Sequence, residues 1–173
     1  MYMKMLGSLF LMSSTTAIGF LKAEELRERV KKLQELKRMM GLLQGELRFH
    51  RSELAEAFGN VSKRVYEPFG TFLKNMEEGL ERHQAESFEI LWKQCSRKLI
   101  LEGGFWEKDL QLMDILGSGL GYLDLTMQME TLNQALLGTE EKIREAKEQL
   151  KNKGKLYQTM GITAGALLTL LIV

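Results

Sequence analysis

Proline occurs once, at Pro68, and cysteine once, at Cys95. A single thiol excludes an internal disulfide and fits a reducing compartment. Alternating β-branched runs are missing too, which with the scarcity of proline leaves little room for strands and points to an all-α chain. Histidine occurs only at His50 and His83, with no second histidine or cysteine at ligand spacing, so no metal site is expected. No sign of charge dominates: 24 basic residues face 23 acidic ones. Overall charge therefore gives no argument for nucleic acid.

Charge is instead missing locally. Met5 to Leu21 and Leu156 to Val173 carry no charged residue. A helix of about 17 or 18 residues rises roughly 25–27 Å, the short end of what spans a bilayer. Two terminal transmembrane helices are expected, at 1–21 and 156–173, around a cytoplasmic helical bundle at 22–155. Lys4, the apolar run and the small residues from Ser13 to Ala17 also fit a cleaved secretory signal. Charge bias argues against cleavage, because Lys22, Arg27, Arg29, Lys31 and Lys32 follow the first segment and Lys147, Lys151, Lys153 and Lys155 precede the second. The positive-inside tendency places that basic collar, and the middle of the chain, in the cytoplasm. Gly161 and Gly165 form a GxxxG pair that permits close helix approach. Ser13, Ser14, Thr15 and Thr16 can bond their own helix's carbonyls, so they do not forbid a span.

The middle reads as about six helices. Leu26, Val30, Leu33, Leu36, Met40, Leu43 and Leu47 draw one stripe along a long helix. Ser52 is the expected N-cap of a second helix ending near Gly59-Asn60. Pro68 suits the first turn of a third, with Phe69, Phe72, Leu73 and Met76 facing inward. A fourth covers about Glu86 to Leu101 through Phe88, Leu91, Trp92, Cys95 and Leu99, and Gly103-Gly104 stops it. A fifth runs from Phe105 to Leu116 through Trp106, Leu110 and Met113. The last keeps a three-four rhythm through Leu125, Met129, Leu132, Leu136, Thr139, Ile143, Ala146 and Leu150. That rhythm also fits a coiled-coil seam, but the first long helix offers an antiparallel partner of equal length.

"ILGSGLGYLDLTMQ", from Ile115 to Gln128, could suggest a phosphate cradle. Such a loop needs a strand before it, and the preceding "FWEKDLQLMDIL" has helical period; no Lys-Ser or Lys-Thr follows. Gly117, Gly119 and Gly121 are therefore expected as helix C-cap and turn, with Asp124 as the next N-cap. No cofactor is implied. Glu77-Glu78 and Glu140-Glu141 point different ways on a helix and are unsuited to paired acid-base work. Cys95 reads as an inert, buried thiol.

These residues resemble, end to end, the stage III sporulation protein AB family of spore-forming Firmicutes. The motifs are "KMLGSLFLMSSTTAIGFLKAEEL", "LQELKRMMGLLQGELRF", "ELAEAF", "FWEKDLQLMDILGSGLGYLDLTMQ" and "KLYQTMGITAGALLTLLIV". The most specific are Leu120-Gly121 followed by Asp124 and Gln128, and Tyr157 with Gly161. Where the family has a "TPL" turn, this chain has Arg51-Ser52-Glu53-Leu54. The resemblance implies a non-enzymatic membrane component of the channel between mother cell and forespore, similar to platform proteins of type II secretion. Such a platform docks a secretion-type ATPase, stage III sporulation protein AA, and other membrane components; a homo-oligomer is also compatible. A plain membrane tether or coiled-coil adaptor is the competing class, and a small membrane-bound hydrolase the third. If the basic collar meets an anionic lipid surface, docking falls to the other end of the bundle, with Arg48, Arg51, Gly119, Gly121 and Asp124.

Overall fold

The computed structural model describes residues 2–50, 53–82, 84–103, 105, 109, 111–122 and 124–172, without the side chains of residues 2–6, 8, 9, 11, 50, 102, 158, 171 and 172. All the secondary structure among the described residues is helical: α1 (Tyr2–Gly45), a π-helical turn (Glu46–His50), α2 (Leu54–Ser62), α3 (Phe69–Glu81), α4 (Phe88–Gly103), α5 (Gln111–Gly119) and α6 (Leu125–Ile172). The chain divides into two compact units, one of Met1–Lys31 with Arg144–Val173, the other of Lys32–Ile143.

In the second unit, the α1 stripe buries Leu33, Leu36, Met39, Met40 and Leu43. The facing stretch of α6 buries Leu132, Ala135 and Thr139. The two run antiparallel: Gln44 Nε2 donates to Asn133 Oδ1 at 2.6 Å, and one turn pair further along Lys37 meets Glu140 at 2.7 Å. Thr139 is tolerated in that dry seam because its hydroxyl donates to Ala135 O at 2.7 Å, leaving no orphan polar group. Leu125, expected at the head of this stripe, is exposed. It occupies the first position of α6, ahead of the turn that meets the core.

The short helices close around Trp92. Its ring meets Phe72 edge-on at 5.1 Å, and Phe88 and Phe58 lie 5.7 and 6.5 Å away. Its indole N–H donates to Met113 O at 2.8 Å, so the largest core side chain ties α4 to α5 with its polar atom satisfied. Phe69, Phe72, Leu73 and Met76 are all buried on α3, as their spacing predicts.

Boundaries move in three places. α2 passes through Gly59-Asn60 to Ser62; its N-cap position is Glu53, with no side-chain cap bond, while Ser52 lies outside the described residues. Pro68 precedes α3 as its cap residue instead of entering the first turn, and the Glu67–Pro68 peptide is cis. Described helix in the fifth element spans Gln111–Gly119; Gly104, Trp106 and Leu110 lie outside the described residues. α6 continues without interruption from the second unit into the first.

Candidate docking corner and terminal helix pair

Within the second unit, the α5–α6 corner and the start of α2 lie at the same end of the antiparallel α1/α6 stretch. The corner is built by a pair of capping side chains. Asp124 Oδ1 accepts the Met127 N–H at 3.0 Å, which meets one of the orphan donors opening α6. Gln128, one turn later, reaches back: its amide donates to the carbonyls of Leu120 at 3.0 Å and Tyr122 at 2.6 Å. One turn of α6 therefore starts its own helix and finishes the preceding one.

Gly119 ends α5 and Gly121 lies in the turn that follows, where a helix C-cap and turn were expected. Gly117 and Gly119 both lie in the last turn of α5, and none of the three has φ in the left-handed region. What they provide is space. A Cβ on Gly117 would strike the Trp92 indole, and one on Gly119 would strike the Thr131 side chain. A Cβ on Gly121 would come within 2.7 Å of the Phe88 ring. Since a helix, not a strand, precedes the corner, the strand–loop–helix geometry of a phosphate loop is not formed.

At the end of α1, the π turn presents Phe49, 77% exposed, with the Arg48 guanidinium over its ring at 5.6 Å. Arg51 lies outside the described residues. Beneath them Glu46 is buried, its carboxylate accepting from Arg64 at 3.2 Å and Asn60 at 3.3 Å. Sequence reasoning missed this clasp. A glutamate on the flank of an apolar stripe reads as solvated until its partners on α2 and just after it are brought in.

The first unit is a helix pair with its small residues inside. Gly19 faces Gly161 so closely that a Cβ on either would lie 3.2 Å from the other's Cα. A Cβ on Gly161 would also meet Thr15 O at 2.8 Å, and one on Gly165 would meet Met12 Cα at 3.2 Å. The GxxxG pair is thus filled from within the same chain. Large apolar side chains face outward, from Phe10 (76% exposed), Ile18 and Leu21 on α1 to Leu156, Leu167 and Leu170 (77%) on α6. Hydroxyls bond back to their own helices: Ser13 and Ser14 to Phe10 O, Thr15 to Met12 O, Thr163 to Thr159 O and Thr169 to Gly165 O. Among the described residues no helix is long and apolar enough to cross a membrane. The two terminal transmembrane helices expected at 1–21 and 156–173 are therefore not established.

The basic residues between these segments differ in kind. Lys22 pairs with Glu25 at 2.7 Å, Arg27 with Glu24 at 2.9 Å and Lys31 with Glu28 at 2.7 Å. The bonded carboxylates of Glu25 and Glu28 raise the ammonium pKa of Lys22 and Lys31. Arg29 is not a surface cation: it is 3% exposed and donates to Gln149 Oε1 at 3.1 Å across the helix pair. Lys32, in the second unit, lies over the Phe105 ring at 5.9 Å. Lys147, Lys151, Lys153 and Lys155 on α6 are exposed.

Of the remaining candidates, Glu140 is taken by Lys37, and Glu78 lies 3.7 Å from Arg82. Cys95 is half-buried, and burial pushes its thiol pKa up. His83 lies outside the described residues. Among the described residues no cluster of three His, Cys, Asp or Glu could hold a metal.

Comparison with known proteins agrees with this architecture. Stage III sporulation protein AB of Bacillus subtilis (strain 168) is 24% identical over 170 residues, covering 98% of this chain and 99% of that protein. A solved structure of a stage III sporulation protein AB superposes with a TM-score of 0.64 at 20% identity, over 71% of this chain and 96% of that one, and establishes the fold. The family model for stage III sporulation protein AB matches residues 4–173. The chain belongs to the stage III sporulation protein AB family.

Proposed function

We propose that the chain is a non-enzymatic membrane component of the apparatus joining mother cell and forespore, acting as a platform. Its helical bundle docks a secretion-type ATPase, stage III sporulation protein AA, and its terminal helix pair connects that engagement to membrane partners. The observation that carries the reading is the inverted pattern of the first unit. Small residues meet at Gly19, Gly161 and Gly165 while Phe10, Ile18, Leu21, Leu167 and Leu170 face outward. Water gives no reason for that arrangement, since it leaves the apolar surface exposed and buries little of it. Lipid does: helices there associate through small residues, and their large side chains face acyl chains. The back-bonds of Ser13, Ser14, Thr163 and Thr169 fit the same setting, because each hydroxyl is met within its own helix.

In the second unit, the corner combines rigid capping with exposed Tyr122, Leu125 and Met127, and the π turn adds Phe49 under Arg48. Exposed aromatics and arginine on a rigid base suit a protein partner. The mother-cell membrane, with the bundle in the cytoplasm, is the corresponding location.

The test is recovery of the ATPase with the tagged full chain from a detergent extract of sporulating cells. Retention of the ATPase by the wild type, reduced about ten-fold by Arg48→Glu with membrane fractionation unchanged, is expected for the loss of a central arginine contact. A chain that fractionates with membranes and never retains the ATPase would be a tether, and the platform reading would be withdrawn.

A further inference from the structure

We propose that Lys151, Lys153 and Lys155 form a contact for anionic phospholipid headgroups on α6 alone, to which the basic residues of α1 contribute little. The inference rests on the membrane reading above and adds which helix meets the lipid charge.

The two helices of the first unit carry similar numbers of cations beside their uncharged segments, yet their surroundings differ. On α1, the exposed Lys22, Arg27 and Lys31 each have a carboxylate of their own helix within 2.7–2.9 Å. Arg29 is buried against Gln149. That face is close to neutral, and an incoming phosphate would have to displace a carboxylate at every cation. On α6 the acids stop at Glu148, and no Asp or Glu occurs from there to Val173. The three lysines are exposed and span only about 6 Å of helix axis at 1.5 Å rise per residue.

Position identifies the ligand. Lys155 directly precedes the uncharged segment that begins at Leu156, and the exposed Leu156, Met160 and Ile162 follow at once. Cations at the edge of an outward-facing apolar surface match a leaflet, with acyl chains on one side and phosphate on the other. A soluble anion or an acidic protein would satisfy the lysines but leave the adjoining apolar surface uncovered. Long lysine side chains can also extend along the helix to headgroup level.

The full chain in neutral detergent, mixed with equimolar phosphatidylglycerol and phosphatidylcholine, is to be examined by native mass spectrometry. The wild type should retain phosphatidylglycerol in preference, less so as salt rises. The triple variant Lys151→Gln, Lys153→Gln, Lys155→Gln should lose roughly five-fold of that preference per cation, following about 1 kcal/mol for each basic residue near an anionic surface. The triple variant Lys22→Gln, Arg27→Gln, Lys31→Gln changes net charge equally and should alter the preference by less than about three-fold if the α1 cations are already engaged. Equal losses from the two triples, or wild-type retention indifferent to headgroup, would overturn a contact on α6 alone while leaving the membrane reading intact. Retention of neither lipid would instead count against the membrane reading itself.

Discussion

At the residue scale, the glycines of this chain divide into those that make room and those that do not, and only the structure separates them. Gly117 lies under Trp92, whose indole is fixed by its bond to Met113 O and cannot retreat. Gly41 sits mid-helix with nothing within 4 Å of where a Cβ would point. Gly117→Ala should therefore cost about 1–3 kcal/mol by overpacking, while Gly41→Ala should stabilise by about 0.5–1 kcal/mol by restricting the unfolded chain. Thermal melting of the full chain in detergent, followed by near-ultraviolet circular dichroism, measures both. Opposite shifts are expected, and a stabilised Gly117→Ala would refute the packing account. The capping pair gives a second comparison on the same signal. Asp124→Ala removes the N-cap bond to Met127 and should cost about 0.5–2 kcal/mol. Gln128→Ala strips the carbonyls of Leu120 and Tyr122 and should cost about 0.5–1.5 kcal/mol. Neither change should create or remove any nucleotide affinity.

At the scale of elements, the long stripes were legible because burial there follows helical period alone. Leu26, Leu33, Leu36, Met40, Leu43 and Leu47 are all buried, as are Leu132 and Ala146 on the partner helix. Asp124 was legible as a cap because capping is local. The bonds of Gln128 were not, since its partners Leu120 and Tyr122 lie in the turn after α5 and reach it only once the chain has turned. The spacing role of the glycines was hidden for the same reason: it depends on Trp92, Thr131 and Phe88, which no local pattern connects to them. The π turn at Glu46–His50 was also silent in the sequence, because Leu43 and Leu47 keep the helical rhythm through it. Its clasp offers a test of the element. Arg64→Ala leaves the buried Glu46 carboxylate with Asn60 and should cost about 1 kcal/mol, modest because Arg64 itself stands half in solvent. Hydrogen exchange on the full chain should show faster opening at the π turn and α2, with the Trp92 cluster unchanged. Uniform loss of protection would show the clasp to be integral to the whole second unit.

At the scale of the whole molecule, the proposed membrane location carries an orientation of the bundle, and charge gives the expectation. The basic residues stand on the bundle side of both uncharged segments, with Lys22, Arg27, Arg29, Lys31 and Lys32 after the first and Lys147, Lys151, Lys153 and Lys155 before the second. Orientation follows lysine and arginine more than net charge, so the carboxylates that neutralise Lys22, Arg27 and Lys31 do not reverse it. The bundle should therefore face the cytoplasm. Glu78 is a suitable reporter position: it lies on α3 with a partly exposed side chain, and its contact with Arg82 at 3.7 Å is a surface pair worth less than about 1 kcal/mol. Replacing it by cysteine should leave the fold intact. The native thiol must be removed first by Cys95→Ser. Cys95 is half-buried, and burial raises its pKa and lowers the reactive thiolate fraction, but a slow background would blur the result. In that background, Glu78→Cys should resist a membrane-impermeant maleimide in intact cells and react once the cells are permeabilised. Prompt labelling in intact cells would place the bundle outside, where no cytoplasmic ATPase could reach the Arg48 and Asp124 end, and the platform reading would fall with the topology.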